Sequence, residues 1–115
     1  MKETQKILSF IGIDTNKNNI RSFDLDEKLL FVGKDICQAL DLPQYEEVLS
    51  QLKNEYKMGI IIDGEKYVAI TDQGLYSIID NYDTAKTIKC RNKITENINK
   101  FIFYMMFDND LLIES

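Results

Sequence analysis

The chain has 115 residues, 44% of them hydrophobic and 29% charged, with a net charge of −5 and a pI of about 4.7. That is enough for one domain with its own core, at a composition ordinary for a globular protein. It contains no histidine, which argues against a zinc site and excludes a His-based triad. It also has no run of about 18 apolar residues, so no spanning helix is expected.

Residues 1–19 read as a terminal arm and loop. Ile7, Leu8, Phe10, Ile11 and Ile13 fit a strand or a short helix, with flanks too polar for a signal peptide. Residues 14–19, DTNKNN, have loop composition. The arm either docks on its own subunit or exchanges with a neighbour.

Residues 20–42 spell a hairpin feeding a helix. Ile20, Phe23 and Leu25 precede the turn signal Asp26-Glu27, and Leu29, Leu30, Phe31 and Val32 make a second short apolar run. Phe31 and Val32 are predicted core. Gly33 allows a bend, and Lys34-Asp35 opens a helix with Ile36, Ala39 and Leu40 on one face. Asp35 there complements the helix dipole. Pro43 closes the unit.

Residues 44–57 are predicted helical, with Tyr45, Val48, Leu49, Leu52 and Tyr56 on one face and Glu46-Glu47 near the start. Residues 58–70 form a hairpin turned at Asp63-Gly64. Thr71 caps a helix whose buried stripe is Leu75, Ile78 and Ile79. Residues 80–83 break it, and Asp83 is placed to cap the last helix, residues 84–107. Ile94, Ile98, Phe101, Ile102 and Met105 give that helix one core-facing stripe. Phe103, Tyr104, Met106 and Phe107 lie around it and point to a homodimer contact in the segment 103–115. Leu111-Leu112-Ile113 offers a short strand that would cover the same patch. Together these elements predict an α+β fold: a small antiparallel sheet of two hairpins, short helices and one long C-terminal helix.

Two blocks in this order resemble the Bro-N domain family, the N-terminal module of baculovirus Bro proteins and many bacteriophage antirepressors. The first is FVGKDICQALDL, in which Phe31, Val32, Gly33, Lys34, Asp35 and Leu40 match. The second runs from Ile70 to Tyr76, ITDQGLY. The resemblance covers about residues 20–102. Ile94-Thr95-Glu96 continues it, whereas the Phe and Trp usual near Cys90 and Lys93 are absent. It implies a phage or prophage regulatory protein, in a family whose members often continue into a second domain.

Three functions are open. The first is an antirepressor-type regulator that binds a host or phage protein, a repressor or another nucleic-acid-binding protein; the acidic balance suits a basic partner. The second is DNA binding through Lys86, Lys89 and Lys93, which share a helical face. DNA is possible but not favoured, because only residues 84–100 are locally basic and solvated lysine faces are common. The third is a phage-encoded, anti-CRISPR-like inhibitor of a host defence nuclease. Asp24, Asp26, Glu27, Asp63 and Glu65 would converge on one edge and imitate phosphates; ordinary turn composition explains the same acids.

An enzyme is not expected. The carboxylates are scattered, and Cys37 and Cys90 have no histidine to activate them. No cofactor, metal or membrane contact is expected, and a reducing bacterial host cytoplasm is the simplest compartment.

Overall fold

A computed structural model describes residues 2–98, with side chains from Lys6 onward. Helix α1 (Lys2–Ile11) and the single turn α2 (Thr15–Asn18) lead into strands β1 (Ser22–Leu25) and β2 (Lys28–Val32). Then come α3 (Gly33–Ala39), α4 (Tyr45–Ser50), a 3-10 turn (Asn54–Tyr56), β3 (Lys57–Ile62), β4 (Glu65–Thr71) and α5 (Asp72–Asn81). The described part of the last helix, α6, covers residues 85–98. The predicted α+β class holds.

The four strands form one antiparallel sheet in the order β1-β2-β4-β3. Each hairpin closes where both turn residues take positive φ: Asp26 and Glu27 at 51° and 66°, Asp63 and Gly64 at 50° and 83°. Such turns match the twist of the flanking strands. The hairpins join through β2 and β4, with Phe31 opposite Ile70 and Val32 opposite Ala69.

Opposed residues share a sheet face. Phe31 and Ile70 point to the helices and enter one core with Ile36, Leu40, Leu49, Leu75, Ile78 and Ile79. Each such side chain contributes about 1.5–3 kcal/mol on burial. Leu30, Val32 and Ala69 point the other way and are also buried.

The terminal arm docks on its own subunit as a helix. Leu8 and Ile11 sit one turn apart in the main core, joined by Ile13. Gly12, at φ +94°, ends α1: its N–H and that of Ile13 both donate to the Leu8 carbonyl. The Asn97 amide of α6 donates to the Phe10 carbonyl at 2.7 Å, tying the two helices together.

Several elements depart from the sequence reading. Residues 14–19 contain a helical turn, because Asp14 accepts from the N–H groups of Asn16 and Lys17. The helix expected over residues 44–57 stops at Ser50, and Lys53 is already extended. The ammonium of Lys57 takes hydrogen bonds to the carbonyls of Leu49 and Ser50 at 3.1 and 3.3 Å, fixing that early end. Tyr56 is therefore not on the α4 stripe.

The cap of α6 is Thr84 rather than Asp83. Thr84 Oγ1 accepts from the Thr87 N–H, and Thr87 Oγ1 accepts from the Thr84 N–H, the reciprocal arrangement of a capping box. The Asp83 carboxylate instead pairs with Arg91. Along α6, Ile94 packs on the core but Ile98 is exposed, against expectation. Phe101, Ile102 and Met105 lie outside the described residues, as do the proposed contact residues Phe103, Tyr104, Met106 and Phe107 and the tail strand.

Candidate functional site

A cleft of about 790 Å³ lies between α4 and the β3–β4 hairpin. Leu49, Val68, Tyr45 and Gly59 are among the residues that line it. A Cβ placed on Gly59 would meet no atom within 4 Å.

Its charges are mixed, with Lys34, Lys57 and Lys66 against Glu46 and Glu65. Most are held in place. The Lys34 ammonium lies 5.5 Å from the centre of the Tyr45 ring, a favourable cation–π arrangement. The Tyr67 hydroxyl donates to Glu65 at 2.8 Å. Lys57 is committed to the end of α4. Its lining thus combines apolar, aromatic and charged residues of both signs.

Beside the cleft lies a half-buried ion pair. Asp35, 7% exposed, accepts from the Arg21 backbone N–H at 3.0 Å and from its Nε and Nη2 at 2.8 and 3.0 Å. The Arg21 guanidinium then stacks over Tyr67 at 4.6 Å. The hydrogen bond to Asp35 is the main cause raising the Arg21 pKa further above its usual value, with Tyr67 adding to it. Asp35 thus does more than complement a helix dipole: it ties the entry of β1 to α3. The signal for this was available, since an aspartate inside the apolar run of residues 31–40 is rarely buried without a cationic partner. The cleft itself had no such signal, because its walls come from segments far apart in sequence.

The predicted contact residues are dispersed. Lys86, Lys89 and Lys93 are all exposed on α6. Lys86 pairs with Asp41 at 3.6 Å, and the Lys93 stem lies against Gly12. Arg91, counted in the same basic segment, is spent internally on the carbonyls of Ile79 and Tyr82 and on Asp83.

The acidic residues do not converge. Asp24, Asp26 and Glu27 lie at one hairpin turn and Asp63 and Glu65 at the other, all exposed. The antiparallel β2–β4 register puts the two turns at opposite ends of the sheet. They are separated by roughly 30 Å at about 3.3 Å per residue. The expected single acidic edge is therefore corrected.

Cys37 and Cys90 are buried free thiols. Burial pushes Cys37 up to about 12 and raises Cys90 against the opposing pull of Lys89 and Lys86. Among the described residues no group of three or more His, Cys, Asp or Glu is placed to hold a metal ion. Nor, among them, is any helix long and apolar enough to cross a membrane.

Comparison with known families matches residues 19–100 to the BRO family, N-terminal domain (Bro-N). The chain belongs to the Bro-N family. No curated protein and no solved structure matches it. The match takes in both hairpins, α3, α4, α5 and the described α6. Membership implies a regulatory domain of the viral or phage antirepressor type or of the DNA-binding type.

Proposed function

We propose that this Bro-N domain is a non-enzymatic regulator of antirepressor type that acts by binding a protein. The partner in this reading is a repressor or another nucleic-acid-binding protein in a bacterial host cytoplasm. The observation that carries it is the cleft between α4 and the β3–β4 hairpin, lined by Tyr45, Leu49 and Val68 together with lysines and glutamates. Partly buried aromatic side chains among charges of both signs are common at protein interfaces. The net charge of −5 favours encounter with a basic partner and disfavours phosphate. No cofactor enters this reading.

The test begins with affinity capture by the tagged chain, followed by direct binding to the purified candidate. Changing Tyr45 and Lys66 together to Ala should weaken that binding by about tenfold or more. The triple change of Lys86, Lys89 and Lys93 to Glu should leave it within about threefold, as expected of charges outside the contact.

A second reading, DNA binding, draws on the exposure of those same lysines and on Lys17, which lines a shallow cleft with Lys86 and Lys89. Asp14 lines that cleft too, and Asp41 pairs with Lys86, so its positive field is diluted. Tight duplex binding at physiological salt, abolished by the triple lysine change, would replace the first reading with this one. The acidic-inhibitor reading loses its basis with the two turns at opposite ends of the sheet.

A further inference from the structure

Among the described residues, strand β3 is an edge of the sheet. Its sequence, KMGIII, carries no charge after Lys57. The other edge, β1, is shorter and holds Asp24. Edges are normally blunted by charge, proline or a bulge, and β3 has none of these after Lys57.

The two-residue turn fixes which backbone groups are free. Ile62 and Glu65 close the hairpin as a hydrogen-bonded pair. The pattern alternates, so Ile60 and Met58 also bond to β4. Gly59 and Ile61 therefore turn their N–H and C=O groups to the open side. The Ile61 side chain is 69% exposed and that of Met58 44%. Gly59 has open space where a side chain would stand.

We infer that β3 is the contact between two copies of this chain, paired antiparallel about a two-fold axis at Ile60. In that register Gly59 lies opposite Ile61 of the second copy, and each pair exchanges both of its free backbone bonds. The exposed Ile61 of one copy covers the space beside Gly59 of the other, closing the Gly59 end of the cleft and leaving the Tyr45 end open. Met58 meets Ile62 on the opposite face, and Ile60 meets its own copy. At each end Asp63 comes beside Lys57, the one cation of the strand, so the charges are complementary. A register shifted by one residue would put side chains on the wrong faces. One shifted to centre on Gly59 would set two gaps against each other. The symmetric pairing also removes the open edge from both copies.

Such an interface is small, so the dimer should dissociate on dilution. Sedimentation of the full chain from low to high micromolar concentration should show the 13.4 kDa monomer giving way to twice that mass. Ile61→Lys should weaken association by about tenfold or more with unchanged circular dichroism. Ile60→Cys should form an intermolecular disulfide on mild oxidation, because residues opposed at a non-hydrogen-bonded site lie about 4.5 Å apart. Cys37 and Cys90 are buried and should not compete.

A wild-type chain that stays monomeric throughout overturns the inference. So does an Ile61→Lys variant that associates as well as wild type, which would place the contact elsewhere, for instance at residues 103–107. Cross-linking of Met58→Cys but not of Ile60→Cys would refute the register.

Discussion

The Arg21–Asp35 pair gives the sharpest quantitative expectation. Asp35 is held by three donors, all from Arg21. Its side chain is 9% exposed, whereas that of Arg21 is 43% exposed. The two ends of the pair should therefore respond unequally. Asp35→Ala removes the buried charge and leaves a guanidinium that water can reach. Its loss is modest because the attraction is screened on the arginine side, and about 2 kcal/mol is expected once the orphaned Arg21 N–H is included. Arg21→Ala leaves the carboxylate buried with one backbone donor. Broken buried pairs cost about 3–5 kcal/mol, and the exposed arginine end puts this case near the lower figure. Loss of the stack on Tyr67 adds roughly 0.5 kcal/mol. The double variant removes the stranded charge, so it should cost little more than Asp35→Ala alone. Urea unfolding of the four proteins closes the cycle, with a coupling of roughly 3 kcal/mol. Additivity within about 0.5 kcal/mol, or an Arg21→Ala variant milder than Asp35→Ala, would refute the reasoning.

Gly33→Ala should destabilise by roughly 1–3 kcal/mol in the same assay, because its Cβ would come within 2.6 Å of Leu49 Cδ2 and 3.0 Å of the Val68 carbonyl. Thr87→Val should cost about 1–2 kcal/mol, since the fully buried hydroxyl serves the Thr84 N–H and the Tyr82 carbonyl. Cys37 gives a pH dependence: its folded pKa is near 12 against 9.0 for the free thiol. The unfolded chain releases that proton first, so stability falls as pH rises between these values, by at most about 1.4 kcal/mol per unit. Denaturation midpoints above pH 9 should fall more gently in Cys37→Ala than in wild type.

Both hairpins were legible because their signals are local. Apolar runs of strand length flank pairs that accept positive φ, and Thr71 caps α5 through the Gly74 N–H as its position suggests. What was not legible depended on distant partners. The apolar spacing from Tyr45 to Tyr56 continues a helical pattern, but Lys57 reaches back to seal α4 at Ser50, and no pattern within the segment foretells that. Asp83 and Thr84 are equally good caps by residue type. Thr84 wins because its hydroxyl also donates to the Leu40 carbonyl across the chain, while Asp83 is drawn off by Arg91. The acidic turns each read correctly as turns, yet their separation follows from the pairing of β2 with β4, a relation between hairpins that neither sequence contains.

The residues that mark the family turn out to serve the architecture. Phe31 fills the main core, Val32 is buried on the opposite sheet face, Gly33 lets α4 approach, and Asp35 locks the entry of β1 to α3. Lys34 alone of that block reaches the cleft, over Tyr45. A match to such a block therefore reports the fold and says little about the partner. The features from which a partner can be inferred lie outside it: the cleft walls from α4 and β4, and the uncharged edge of β3. On the proposed reading, partner choice should follow the exposed residues Glu46, Ile61 and Lys66, and changes there are the ones expected to alter binding without altering the fold.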